Sequence, residues 1–491
     1  MRMIVIYKKR LKQTLLFLAV SALMVIYVVT WRHGDHLRAE SAAGEAVQAA
    51  AATDGLAERL AGVYAMQAPD SEDEAMKRLD RMVTRFLRKW EINGASLAVA
   101  RNGKLVYTKG YGYADVERSV PMTPGHVMRI ASVSKLITAV GVMQLYEAGK
   151  LGLDDRVFGQ GGILNDSIFG EIRDKRVRTI TVDHLLRHRG GFSLRAGDPM
   201  FNTLDVARAM GVAPPADANT IIRYALRQRL GFMPGQSTSY SNLGYVILSK
   251  VIEKISGQPY EQYIREHVLD PLGCVGMCIG HNTYIHRLPN EVRYYCSPDD
   301  EPVPACDGSG RMVLRCYEGN DIECLSGAGG WVASPAEILR IVDAIDGEHS
   351  MYRLLRPETV RLMTEARKDE LPIGWMRTNE RGDWWRTGTL SGTSAMLKRQ
   401  HDGITWMLVT NTSSWKGSRF PGLIDGMMRD ALASVERWPD VDRFAERPLP
   451  VAGVRIGPPL SAGYPGHTLI PGLARPGFFR TFLVSDPFLI P

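Results

Sequence analysis

Ser132 and Lys135 stand three residues apart in "RIASVSKLITAV" (129–140), a pairing of hydroxyl and amine that can act as nucleophile and base. Three residues apart on a helix share a face, so Lys135 is set beside Ser132 rather than Ser134. At a helix start, the Ser132 hydroxyl sits near the positive end of the helix dipole, and its backbone N–H is free to bind an oxyanion. The apolar positions Val133, Leu136, Ile137, Val140, Val142, Met143, Leu145 and Tyr146 place Lys135 in a buried helix that stops near Gly149. An ammonium stripped of water there has a lowered pKa, and the neutral amine can take a serine proton. The structural alternative is a plain helix cap at Ser132 and a lysine that snorkels to solvent.

A second group of residues lies in "FMPGQSTSYSNLGYVILSKVIEKISGQPYEQYI" (232–264), where Tyr240-Ser241-Asn242 precedes a helix carrying Tyr245, Val246, Leu248, Val251 and Ile252. A phenol and an amide two residues apart can face one cleft, the phenol as proton relay and the amide as ligand for a substrate carbonyl. The alternative is that Tyr240 packs and Asn242 caps the helix. The third group is "RTGTLSG" (386–392), opening a strand. Arg386 supplies a cation, Thr387-Gly388 lets the backbone approach a ligand, and Thr389 offers an N–H opposite that of Ser132. Its alternative is an edge strand with a surface arginine. His184 and His188 share a helix face, and Cys274, Cys278, His281 and His286 fall close together, but neither set has the ligand spacing of a metal site. No metal is expected.

These residues need elements to hold them. Ser71 and Glu74 form a capping-box pattern ahead of Met76, Leu79, Met82, Val83, Phe86, Leu87 and Trp90 at helical spacing. "ASLAVARNGKLVYTKGYG" (95–112) reads as two strands joined by Asn102-Gly103, a type I′ hairpin signal. Helical patterns and loops fill about 150–330. Extended character returns in "WWRTGTLSGTSAMLKRQHDGITWMLVTN" (384–411), and Pro421 opens a last helix with Leu423, Ile424, Met427, Met428, Ala431 and Leu432. The expected fold is therefore α/β of the α+β type: an antiparallel sheet formed from N- and C-terminal strands, helices on both faces, and a mostly helical inserted subdomain.

The chain ends read differently. Lys8, Lys9, Arg10 and Lys12 precede "QTLLFLAVSALMVIYVVTW" (13–31), an uncharged run that spans about 28 Å as a helix. Residues 1–31 are expected to be a retained signal anchor that leaves the bulk of the protein on the extracytoplasmic, periplasmic side, with cleavage near "AESAAGEA" (39–46) as the alternative. An Ala-rich linker follows over 32–70, and the folded domain runs 71–437. From 438 to 491 proline recurs without sustained periodicity, and an irregular tail is expected. The six cysteines, Cys274, Cys278, Cys296, Cys306, Cys316 and Cys324, are even in number and are expected to form disulfides in an oxidising compartment, in a pairing the sequence does not choose. The net charge of +7 is modest for 491 residues, and no Lys/Arg cluster interleaves with aromatics, which argues against a nucleic-acid surface.

Taken in order, S-x-x-K, Y-S-N and R-T-G resemble the motifs of the serine beta-lactamase and penicillin-binding protein superfamily, in the branch of class C beta-lactamases, D-Ala-D-Ala carboxypeptidases and esterases. The resemblance covers about residues 72–437 and includes "TITVDHLLRHRGGF" (179–192) and "SGAGGWVASPAEILR" (326–340). It implies that Ser132 forms an acyl-enzyme, that Lys135 and Tyr240 share the proton transfers, and that the N–H groups of Ser132 and Thr389 form the oxyanion hole. It also implies that Asn242, Arg386, Thr387, Gly388 and Thr389 bind substrate. Relatives carry Lys or His where this chain has Arg386, which is expected to grip a substrate carboxylate with two parallel bonds and not to exchange protons. The expected function is a membrane-anchored serine hydrolase without metal or organic cofactor, cleaving an amide or ester such as a D-amino-acid peptide of the cell wall, an ester or a beta-lactam. The alternative is a receptor that binds penicillin or wall peptide without turnover. Oligomeric state is left open.

Overall fold

The computed structural model describes residues 74–444, apart from residues 193, 195, 196, 349 and 351. The expected anchor (1–31), the linker (32–70), the Ser71 half of the capping box and the tail from residue 445 lie outside the described residues. Among the described residues, no helix is long and apolar enough to cross a membrane.

In chain order the elements that matter are α1 (Glu74–Lys89), β1 (Gly94–Arg101), β2 (Lys104–Asp115), β3 (Val120–Pro121), β4 (Met128–Arg129) and α2 (Ser134–Glu147). They continue with α3 (Val182–Leu186), α4 (Asn242–Ser256), α5 (Ile322–Gly329), β5 (Trp331–Ala333) and α6 (Pro335–Asp346). The chain closes with β6 (Arg377–Thr378), β7 (Trp384–Leu390), β8 (Thr393–Arg399), β9 (Ile404–Thr410) and α7 (Phe420–Ala433).

The main sheet has seven strands in the order β3-β2-β1-β9-β8-β7-β6, paired antiparallel throughout. Strands from the two ends of the chain meet at its centre, where Val99 lies opposite Trp406. The β1–β2 turn falls at Asn102-Gly103, both with positive φ as a type I′ turn requires. Because side chains alternate along a strand, Leu97 and Val99 face one side and Ala98 and Ala100 the other. The first set packs with Leu408 and Trp406 under Leu79, Val83 and Leu87 of α1 and Ile424 and Met428 of α7. The second set joins the larger core with Met407, Val409, α2 and α6. The sheet is thus covered on both faces by helices, as expected.

Residues 150–330 are built mainly of helices and loops, including α3, α4 and further helices at Thr203–Met210 and Ala218–Leu226. A small second sheet orders β4, β5 and the two-residue strand Cys278–Ile279. The start of the proline-rich tail is not loose: Arg443 N–H donates to Leu105 O at 3.0 Å, and Asp442 Oδ1 accepts from Leu105 N–H at 3.2 Å.

The cysteines correct the disulfide expectation, since all six are thiols. The Cys274 thiol points to Glu337 O at 3.6 Å and the Cys324 thiol to Ala216 O at 3.8 Å, on separate parts of the fold. Cys296 and Cys316 do meet, with Cys316 N–H donating to Cys296 Sγ at 3.4 Å. An even count carries no geometry.

Candidate active site

Ser132 sits in the middle of a one-turn 3₁₀ segment, Ala131–Val133, that feeds directly into α2. The sequence places Ser132 at the start of an α-helix; the tighter turn moves that start to Ser134. Ala131 holds φ at +48°, a left-handed conformation that costs a residue with a Cβ about 1–3 kcal/mol. This bend leaves Ser132 half-buried and reachable while its neighbours on both sides are buried.

Lys135 follows one turn later on α2, a helix buried from Ser134 through Met143. It is 0% exposed. Its Nζ donates to Ser132 Oγ at 3.1 Å, to Asn242 Oδ1 at 2.7 Å and to Ala328 O at 2.5 Å. Three acceptors match the three protons of an ammonium. Burial drives its pKa down from the usual lysine value to about 8; Tyr240 opposes the shift and Arg386 adds to it.

Tyr240 approaches Ser132 from the other side, its Oη 2.7 Å from Ser132 Oγ. Burial alone would raise its pKa, but the charges of Lys135 and Arg386 outweigh burial and hold the phenol below its ordinary value. The ring is stacked on His188 with centroids 4.4 Å apart. Asn242 opens α4, where Ser241 rather than Asn242 supplies the cap by accepting from Gly244 N–H at 3.0 Å. The amide is therefore left for other work.

Strand β7 closes the site. Its inward positions are Trp384, Arg386, Gly388 and Leu390, and Thr387 and Thr389 alternate to the half-buried side. A Cβ added at Gly388 would lie 2.3 Å from Ile130 O and 3.1 Å from Ser132 N, so only glycine lets the strand press this closely on the nucleophile turn. Gly388→Ala is expected to destabilise the fold by about 2–3 kcal/mol, measured as a lowered urea midpoint at unchanged slope, because the clash is with backbone.

Arg386 faces inward. It is 1% exposed. Its Nε donates to Ser132 O at 2.9 Å and its Nη2 to Tyr240 Oη at 3.0 Å, so two of its five N–H donors are taken within the protein. Nη1 is buried without a hydrogen-bond partner. Placed so, the guanidinium braces the nucleophile turn and favours an ionised Tyr240.

The two histidines also separate. His184 completes a capping box with Thr181, while His188 accepts from Ser241 N–H at 3.0 Å through Nδ1 and supports the Tyr240 ring. Burial, with Arg386 and Lys135 nearby, holds the His188 pKa well below its usual value, so the ring is neutral. Sequence reasoning missed His188 as a support, the Ala328 carbonyl, and Asp198, whose Oδ2 accepts from Asn242 Nδ2 at 2.7 Å. The glycines around Ala328 were the one signal that a backbone comes close there.

The arrangement can move a proton from Ser132 Oγ to a neighbouring base and stabilise the alkoxide that attacks a carbonyl. Since the base must be deprotonated, activity is expected to rise with pH through about 8, where Lys135 titrates, and not through the ordinary lysine range. A pH profile of kcat/KM checks this; a limb near pH 10 would exclude the amine environment described.

Comparison with known proteins bears on this site. A family model described as Beta-lactamase matches residues 79–422. Esterase EstB of Burkholderia gladioli is 29% identical over 364 residues, 70% of this chain and 88% of that protein. Protein flp of Staphylococcus aureus (strain MW2) is 29% identical over 202 residues, 41% of this chain; the match spans only 37% of flp's own length. The D-amino acid amidase from Ochrobactrum anthropi SV3, solved in complex with L-phenylalanine amide, superposes with a TM-score of 0.58 at 21% identity, covering 74% of this chain and 99% of the amidase.

Proposed function

The chain belongs to the beta-lactamase family, and from that premise we propose that it is a serine hydrolase that works through an acyl-enzyme on Ser132, cleaving an amide or ester with a compact acyl group on the extracytoplasmic side of a membrane. The observation that carries the mechanism is the convergence of Lys135 Nζ and Tyr240 Oη on one hydroxyl, at 3.1 and 2.7 Å. Ser132 Oγ attacks the substrate carbonyl carbon as its proton passes to the Lys135 amine or the Tyr240 oxygen. The oxyanion is received by the Ser132 N–H and the β7 N–H that follows Gly388. The leaving group takes the proton back, and water then repeats the sequence on the acyl-enzyme.

The substrate reading is supported by the chemistry of relatives: one is an esterase and another holds a small amino-acid amide. A D-amino-acid peptide of the cell wall fits both the bond type and the proposed side of the membrane. Location rests on the basic cluster at residues 8–12 followed by the apolar run 13–31.

The test uses the full chain in a membrane fraction with three probes: p-nitrophenyl butyrate, a D-amino-acid amide and a fluorescent penicillin. Turnover of ester or amide, with the acyl mass found on the Ser132 peptide, is expected. A stable penicillin label with no turnover of the other two would make the protein a receptor. No label and no turnover would remove the acyl-enzyme reading.

A further inference from the structure

Asn242 lies between a group that as an ammonium only donates and a group that as a carboxylate only accepts. Its Oδ1 takes a hydrogen bond from Lys135 Nζ at 2.7 Å, and its Nδ2 gives one to Asp198 Oδ2 at 2.7 Å. An ammonium on one side and a carboxylate on the other permit one orientation of the amide. Asp198 is itself held in place, since its other oxygen accepts from Met200 N–H at 3.0 Å as the cap of the turn Pro199–Phe201. It comes from a loop 44 residues before Asn242 and is half-buried at the edge of the site.

We infer that Asp198 is a positioning residue of the catalytic site: through Asn242 it fixes the amide with oxygen toward Lys135, and its charge retains the proton on that lysine between proton transfers. The inference rests on the proposed acyl-enzyme chemistry. The groups that face Lys135 are the Tyr240 and Tyr245 rings, 4.8 and 5.7 Å from Nζ, the Arg386 guanidinium and the neutral His188 ring behind Tyr240, and Asp198. Asp198 supplies the carboxylate in this set. Burial and Arg386 press Lys135 toward the neutral amine, and Tyr240 and Asp198 oppose them. The balance matters because the lysine must accept the Ser132 proton and then return it to a leaving group, which requires both forms within reach of one pH. The fixed amide has a second consequence: with one Nδ2 proton committed to Asp198, the other is the donor left for a substrate carbonyl.

Removing the charge removes the stabilisation of the ammonium, so the pKa of Lys135 falls and the acid limb of kcat/KM moves to lower pH. In Asp198→Asn the limb is expected to shift downward by about one pH unit, the size of a carboxylate–ammonium interaction across one intervening amide in a partly screened site. Asp198→Ser keeps an oxygen able to cap Met200 and removes the charge, and is expected to shift the limb the same way if the asparagine variant folds poorly. Asp198→Glu retains the charge and is expected to keep the limb of the wild type. A role confined to loop packing would lower thermal stability or kcat and leave the limb in place. A limb unmoved in both uncharged variants, in a protein whose wild type turns over ester, overturns the inference; absence of turnover in the wild type would instead count against the acyl-enzyme.

Discussion

Ser132→Ala is expected to lose at least about 10⁴-fold in ester or amide turnover and to lose covalent labelling completely, while unfolding within about 1 kcal/mol of the wild type. The reasoning is local. Ser132 contributes a half-buried hydroxyl and no packing volume that alanine lacks beyond one oxygen. Lys135 keeps two of its three acceptors, Asn242 Oδ1 and Ala328 O. What disappears is the atom that forms the acyl bond, and the remaining oxyanion donors sustain only weak turnover by water. Stopped hydrolysis assays, intact-protein mass after incubation with fluorescent penicillin, and a thermal melt make the three measurements. Labelling that persists in the alanine variant would move the nucleophile elsewhere.

Lys135→Met carries the second large effect. Methionine fills a similar volume in a helix buried on all sides, so the packing survives. Asn242 Oδ1 and Ala328 O lose their donor, which costs about 1–3 kcal/mol, and the removal of a dehydrated ammonium offsets part of that. Catalysis has no such offset. The amine that shares the Ser132 proton is gone, and Tyr240 loses the first of the two cations that hold its pKa down. A fall of about 10³-fold in kcat/KM is expected, with the limb near pH 8 replaced by one at higher pH from the phenol. A loss of less than tenfold would assign the base role to Tyr240 alone.

Much of the site could be read in the sequence because its first two members are local. Ser132 and Lys135 are three residues apart, and any helical or 3₁₀ geometry brings them to one face, so their 3.1 Å contact needed no tertiary information. Tyr240 and Gly388 were legible as loop and strand features with chemistry attached. The hairpin at Asn102-Gly103 and the terminal helix at Pro421 are likewise local signals. Arg386 shows where this stops: its residue type suggested a ligand grip, and nothing local announced that the parity of β7 turns it inward, where Ser132 O and Tyr240 Oη take two of its five donors. Asp198 and His188 reach the site by long-range folding of loops, and nothing in their immediate neighbours announces it. The cysteine count is likewise local, whereas which thiols meet, as Cys296 and Cys316 do, is set by the fold.

The pairing of β1 with β9 at the centre of the sheet sets an order of events. While the chain is being made, the β1–β2 hairpin is available from the outset, yet one side of β1 stays open until residues 404–410 have been synthesised. An unpaired apolar border of this kind recruits strands from other molecules. The nucleophile turn, with Ser132, thus precedes in the chain the strand that completes the scaffold beneath it. A chain terminated before β9 would carry every catalytic side chain named above and still have no closed platform to hold them.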